Sequence, residues 1–405
     1  MPELLNIVIV GGSLAGLRAA GALRRGGYAG TITFVSAENH LPYDRPPLSK
    51  QLLLGKWGPE RITLATDDDY QGLALDLRLG RRATALDATA RTISLDDGTT
   101  VGYDACIIAT GATPRMLPDT PALAGIHTLR TLEDSLAIRT AMEGGARIAV
   151  VGGGFIGAEV AAVARQRGLE VTIIEALSQP LERALGARVG EVCAGVHRHH
   201  GATLRLGVGV DGFLGSERVE AVVLADGTRV AADCVVVGIG VRPETAWLES
   251  SGITLKDGVV CDPYLRTSAP DVYAAGDVCR WFNPLFDEEM RVEHWTNAVE
   301  QGMTAARNIL GPEAKVKAYA PVPYVWSDQY DLSIQYVGHA HGDDEFTVKH
   351  GSLESGEFVG LYSRGGRLKG AVGFNMHRLL GDYRRLIGAG ASLAEALEHV
   401  PEDDD

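Results

Sequence analysis

An α/β fold with an internal duplication is predicted by two ordered pairs of matching segments and by an excess of glycine. Residues 7–20 read IVIVGGSLAGLRAA and residues 148–161 read IAVVGGGFIGAEVA, an offset of 148 − 7 = 141. Each is an apolar run, a glycine cluster, then small and apolar residues at helical spacing, the pattern of strand, tight turn and helix. Asp97-Gly98-Thr99 leads into DACIIATGATP (104–114), and Asp226-Gly227-Thr228 leads into DCVVVGIGVRP (233–243), an offset of 233 − 104 = 129. The Asp-Gly pairs suit hairpin turns, and the apolar runs suit buried strands ending in glycine. Both halves of one unit therefore recur in the same order, which predicts two Rossmann-like dinucleotide-binding units in a single chain. Glycine fills 50 of 405 positions with no collagen-like period. At about 12% against a usual ~7%, it points to many tight turns and close backbone approaches.

Composition narrows the function classes. Hydrophobic residues make up 45% and charged residues 22%, the balance of a globular protein, and 405 residues suggest two to four domains. A formal charge of −14 argues against nucleic acid as a main partner, because phosphate contacts need Lys and Arg. No run of about 20 apolar residues predicts a membrane span. The start, Met1-Pro2-Glu3, shows no basic or signal-like region. Five scattered cysteines (Cys106, Cys193, Cys234, Cys261, Cys279) have no pairing by spacing. They read as buried apolar thiols in a reducing cytoplasm.

Each glycine turn has a shared physical logic. Backbone N–H groups at a helix N-terminus face a pyrophosphate, and glycines allow its close approach. Gly152, Gly154 and Gly157 complete G-x-G-x-x-G in the second copy. Its following strand, EVTIIE (170–175), ends in Glu175, which can accept hydrogen bonds from a ribose 2′-OH or stand as a solvated strand-end acid. As a ribose acceptor it repels a 2′-phosphate, and residues 176–181 hold no Arg or Lys to offset that, so NADH is expected over NADPH. In the first copy Gly11 and Gly16 hold the outer positions, Ser13 replaces the middle glycine, and Glu38, beyond ITFVS (32–36), is the expected ribose acceptor. In TSAPDVYAAGD (267–277) a short strand leaves Asp277 at a strand-to-helix turn, where it also fits a helix N-cap.

These segments, with PYDRPPLSK (42–50), ATG (109–111), GGGFIGAE (152–159), GIGVRP (238–243), HWTNAVEQG (294–302) and VWSDQ (325–329), resemble the NADH-dependent ferredoxin reductases that feed bacterial oxygenases. The resemblance runs from residue 7 to 329 and implies three parts. They are a discontinuous FAD domain (1–112 and 244–319), an inserted NAD domain (113–243) and a C-terminal α+β domain (320–405). It implies FAD and NADH as cofactors, with Asp277 and Gly276 at the ribityl chain. Gly11, Ser13, Ala15, Gly16 and Glu38 would hold the ADP half, with Ala83 and Arg130 nearby. Arg45, Lys50, Thr110, Gly111, Trp295 and Trp326 are implied around the flavin. Gly152, Gly154, Phe155, Ile156, Gly157, Glu159, Glu175 and Gly240 are implied on the NAD side. Family members pair the equivalents of Lys50 and Glu159 between flavin and nicotinamide, the implied catalytic pair; a bridging salt link without a redox role is the alternative.

The electron acceptor is read by elimination and by charge. No C-x-x-C or C-x-x-x-x-C pair occurs, so no thiol relay is expected and the electrons pass to an external acceptor. Residues 364–385 hold Arg364, Arg367, Lys369, Arg378, Arg384 and Arg385 against Asp382, six minus one or +5, a candidate docking patch for an acidic [2Fe–2S] ferredoxin serving a cytochrome P450 or Rieske-type oxygenase. An NADH oxidase or peroxidase and a non-catalytic NADH-sensing flavoprotein are the alternatives. His197, His199 and His200 lack a Cys or acid at ligand spacing and read as an exposed helix end, not a metal site. The acidic end, Glu402 to Asp405, reads as a frayed tail.

Overall fold

A computed structural model describes residues 4–312 and 316–400, so the acidic end lies outside the described residues. The chain divides into two compact units. The first comprises residues 1–44, 62–113 and 242–323; the second comprises 45–61, 114–241 and 324–405.

The first unit is built on a five-stranded sheet in the order Val272–Ala274, Ala105–Ile108, Asn6–Val10, Thr31–Val35, Leu75–Arg78. Every neighbouring pair is parallel. Ile7, Val8, Ile9, Ile107 and Ile108 are wholly buried, which is why these strands read as unbroken apolar runs rather than alternating ones. Helix Leu14–Arg25 provides the first crossover, and helix Trp295–Leu310 lies against it. The contact is close because a Cβ on Gly302 would stand 2.3 Å from the Ala15 carbonyl oxygen. The Asp97-Gly98 turn closes a hairpin between Thr92–Leu95 and Thr100–Gly102, as the sequence predicts.

The second unit repeats the design. Its parallel sheet runs Thr203–Leu206, Val171–Glu175, Ile148–Val151, Cys234–Val237, Ile126–His127. The duplication extends to register: Ile7 faces Ala105 and Val10 faces Ile108, while Ile148 faces Cys234 and Val151 faces Val237. This unit also holds a five-stranded antiparallel sheet in the order Tyr324–Gln329, Leu332–Gly338, Arg367–Phe374, Glu357–Arg364, Glu345–Ser352. Helices Leu380–Gly388 and Leu393–Glu398 follow it, matching the α+β character expected of the C-terminal region. Leu185, Val189 and Cys193 share one buried cluster with Ile334, Phe358 and Phe374, so the antiparallel sheet and helix Ala187–His199 have a common core. Segment 45–61 joins this unit because Leu53 is buried among Ile138, Val150 and Val160.

Candidate functional site

In the first unit the glycine turn is fixed by lack of space. Gly11 has φ +128, and a Cβ there would sit 2.0 Å from the Ala109 carbonyl oxygen. One on Gly16 would sit 2.2 Å from the Gly11 oxygen. Ser13 is the N-cap of helix Leu14–Arg25, the place that Gly154 holds in the second unit. A Cβ on Gly154 meets nothing within 4 Å. No protein atom crowds the Gly154 position, which explains how serine stands at the equivalent place in the first unit without disturbing the turn. Glu38 accepts a hydrogen bond from the Tyr43 hydroxyl.

The same unit brings the Asp277 segment to this helix end. Gly276 has φ +78, donates its N–H to Gln301 Oε1 at 2.8 Å, and a Cβ there would lie 3.2 Å from Ala15 Cβ. Asp277 stands in a single 3₁₀ turn that runs straight into strand Cys279–Asn283, so the strand-to-helix turn expected from sequence is corrected to strand, turn, strand. The reason is spacing: the next helix begins only at Trp295. Trp295 donates from Nε1 to Asp44 Oδ1 at 2.7 Å, and Thr110 donates its hydroxyl to the Glu244 carbonyl at 2.8 Å. Gly111 has φ +69, and Ala83 is buried on its strand.

The second turn is similarly tight. A Cβ on Gly152 (φ +102) would meet the Gly238 oxygen at 2.3 Å, and one on Gly157 would meet the Gly152 oxygen at 2.1 Å. Gly154 is exposed, Phe155 half-buried, and Ile156 is 44% exposed at the helix start, where the first N–H groups have no partner within the helix. Glu175 reaches back to the turn, accepting from Gly153 N–H at 2.6 Å and Leu177 N–H at 2.8 Å. Gly240 (φ +99) is exposed and accepts from Arg115 N–H at 2.9 Å. Open space over a glycine at a helix N-terminus, with a carboxylate at the adjoining strand end, fits the adenosine and pyrophosphate of a dinucleotide.

Also in this unit, Pro46–Ser49 forms a 3₁₀ turn with proline at its start, which restricts the backbone before Lys50. Lys50 Nζ lies 2.8 Å from Glu159 Oε2. Glu159 is 2% exposed and also accepts from the Ser49 and Ser327 hydroxyls. The pair expected from sequence is formed. Neither serine stands out in the sequence, although they lie inside PYDRPPLSK and VWSDQ. Arg45 donates to the Arg130 carbonyl, and both belong to the second unit. Trp326 stacks on Tyr324, ring centres 6.0 Å apart.

The remaining side chains divide clearly. All five cysteines are buried and free. Burial pushes the Cys193 and Cys234 thiols up to about 12 and raises Cys106 and Cys279 as well. Such thiols are poor nucleophiles. His199 is exposed as expected, but His197 is wholly buried, a correction to the exposed-end reading. It faces inward on helix Ala187–His199, with Nδ1 3.0 Å from the Tyr330 hydroxyl. Arg364, Arg367, Arg378, Arg384 and Arg385 are exposed and Lys369 is half-buried. Arg364 pairs with Asp344 at 2.6 Å and Arg385 with Asp382. Counting both acids leaves six minus two, or +4. No helix among the described residues is long and apolar enough to cross a membrane.

Comparison with known proteins agrees with this geometry. Residues 5–302 match the family model described as pyridine nucleotide-disulphide oxidoreductase, and residues 324–401 match the reductase C-terminal model. The ferredoxin–NAD(+) reductase component of the anthranilate 1,2-dioxygenase system of Burkholderia cepacia is 39% identical over 388 residues, 95% of this chain and 94% of that protein. Putidaredoxin reductase of Pseudomonas putida is 36% identical over 370 residues, 90% and 87% of the two chains. A crystal structure of the covalent putidaredoxin reductase–putidaredoxin complex matches with a TM-score of 0.92 and 34% identity, covering 97% of this chain and 95% of that one. A family model spanning residues 5–302, with relatives 36% and 39% identical over at least 90% of the chain, shows that this chain belongs to the pyridine nucleotide-disulphide oxidoreductase family.

Proposed function

We propose that this protein is an FAD-dependent NADH:ferredoxin reductase, passing electrons from NADH to a [2Fe–2S] ferredoxin that serves a cytochrome P450 or Rieske-type oxygenase. The observation that carries the reading is the ion pair between Lys50 and Glu159, the latter buried on the helix that opens at the second glycine turn, in a chain whose cysteines are all buried. Relatives of this chain are named as ferredoxin–NAD(+) reductase components of dioxygenase systems and as putidaredoxin reductase. Bound FAD supplies the link between a two-electron donor and a one-electron acceptor, taking a hydride and releasing electrons singly.

The chain's own residues divide the remaining work. Gly11, Ser13, Ala15, Gly16, Glu38, Ala83, Thr110, Gly111, Gly276, Asp277 and Trp295 are assigned to FAD. Gly152, Gly154, Phe155, Ile156, Gly157, Glu175 and Gly240 are assigned to NADH, with the Glu175 carboxylate taking the ribose hydroxyls. Lys50 and Glu159 are assigned to the hydride step, Arg45 and Trp326 to the flavin's surroundings, and Arg130 to the neighbourhood of the ADP half of FAD. By domain, residues 1–112 and 244–319 are assigned to FAD, 113–243 to NAD and 320–405 to the C-terminal part. The exposed bases Arg364, Arg367, Arg378, Arg384 and Arg385, with Lys369, form the docking surface for an acidic ferredoxin, and the setting is the cytoplasm.

The test is anaerobic. The yellow protein is reduced with NADH and mixed with candidate [2Fe–2S] ferredoxins, while cytochrome c reduction and oxygen consumption are followed in parallel. Fast transfer only with a ferredoxin present, unaffected by prior treatment with iodoacetamide, is the expected result. Rapid oxygen or peroxide turnover without a ferredoxin, or loss of turnover on alkylation, overturns the reading.

A further inference from the structure

We propose that Ser49 and Ser327 are positioning residues for hydride transfer, two buried hydroxyls that lock the Glu159 carboxylate and thereby aim Lys50. The proposal rests on the functional reading above and extends it to two side chains outside the residues that reading assigns.

Glu159 Oε2 accepts from Ser49 Oγ at 2.5 Å and meets Lys50 Nζ at 2.8 Å, while Oε1 accepts from Ser327 Oγ at 2.6 Å. Ser49 is 1% exposed and Ser327 0%. An ion pair alone does not fix a carboxylate, because the terminal torsion of Glu is broad and a carboxylate has about four acceptor sites. Donors on both oxygens remove that freedom. They come from a 3₁₀ turn, Pro46–Ser49, and a strand, Tyr324–Gln329, so the carboxylate is held from two directions by backbone that is itself ordered.

The direction of each bond follows from proton counting. Gln329 Nε2 donates to Ser327 Oγ at 3.3 Å, which fills a lone pair of that hydroxyl and leaves its single proton for Glu159. Ser49 Oγ also stands 3.3 Å from the Pro46 carbonyl, but its one proton goes to the nearer, charged oxygen. Beyond Gln329 lies His197, whose ring is held neutral by burial, its ordinary value pulled down to about 4 against a smaller opposing effect of Gln329. The outer end of this string therefore carries no charge at neutral pH.

The test uses the FAD-loaded protein with Ser327→Ala, Ser49→Ala, Ser327→Thr, Glu159→Gln and the Ser327→Ala/Glu159→Gln double variant. Three quantities are read: the acetylation rate of Lys50 by mass spectrometry with the exposed Lys56 as internal control, the NADH dissociation constant, and the rate of flavin bleaching at saturating NADH. Loss of either hydroxyl is expected to raise Lys50 labelling at least threefold relative to Lys56. It should also slow saturated bleaching roughly tenfold, while NADH affinity moves less than twofold, because misaim acts on the reacting geometry. Ser327→Thr restores both readouts, and Ser327→Ala adds nothing to Glu159→Gln. Should Ser327→Ala fail to fold, Ser49→Ala on the opposite oxygen carries the same test. Wild-type labelling and saturated rates in the alanine variants, or additive losses in the double variant, overturn the proposal. Failure of NADH to bleach the wild-type protein instead overturns the functional reading beneath it.

Discussion

Replacing Glu175 with glutamine tests the nucleotide assignment. The carboxylate has about four acceptor sites, of which Gly153 and Leu177 N–H take two at 2.6 and 2.8 Å, leaving room for ribose hydroxyls. A hydrogen bond to a charged group contributes about 1.5–3 kcal/mol, so its loss is expected to lower kcat/KM for NADH by roughly 10- to 100-fold. The same change lifts the repulsion on a 2′-phosphate. At about 5 Å and an effective dielectric near 20, one pair of unit charges costs roughly 3 kcal/mol before salt screening lowers it. NADPH turnover therefore rises or holds while NADH turnover falls, and the NADH/NADPH ratio drops at least tenfold. Steady-state reduction of ferricyanide with each nucleotide measures the ratio, and a thermal melt confirms that the protein is folded. A ratio within twofold of wild type in a folded variant removes Glu175 from the ribose site.

The other expectations are simpler. Gly157→Ala puts a Cβ 2.1 Å from the Gly152 oxygen, so backbone must move. A melting temperature lower by several degrees, from about 1–3 kcal/mol of overpacking, with weakened NADH binding is expected, and an unchanged melt refutes the steric account. Charge reversal at Arg384 and Arg385 slows ferredoxin reduction in low salt and spares ferricyanide reduction; equal losses in both assays discredit the patch. His197 is buried neutral, with Tyr330, His200 and Gln329 beside it. Because its folded value near 4 lies below the unfolded ~6.5, its stabilisation is complete above about pH 6.5 and is lost as pH falls toward 4. Up to about 3 kcal/mol is at stake, so urea midpoints should fall across that window and His197→Gln should flatten the slope; parallel slopes in both proteins contradict it.

Much of the site can be read before folding because its determinants are local. A glycine with positive φ, the helix that follows it and the strand ending in Glu175 all lie within a short span, and the steric demand that selects glycine at 152 and 157 arises inside that span or at one neighbouring strand. The duplicated register between the glycine-turn strands and their partners follows from the same patterning. Distant convergence leaves no comparable trace. Serine at 49 and serine at 327 look like any loop or strand hydroxyls, yet they meet on one carboxylate across 110 and 168 residues of chain. His197 reads as part of a polar helix end, but its side chain falls on the inward face and is paired by Tyr330, 133 residues away.

The sequence by itself determined the two nucleotide turns, their strand-end acids, the absence of a paired-cysteine motif and the helix that carries Glu159. Tertiary structure alone decided which groups surround Glu159, that segment 45–61 belongs to the second unit through Leu53, and that the turn holding Asp277 leads into a strand. The division has one physical cause. Backbone sterics and helix-end electrostatics act over a few residues and leave a pattern in the chain, whereas burial and pairing depend on which distant segments the hydrophobic core draws together.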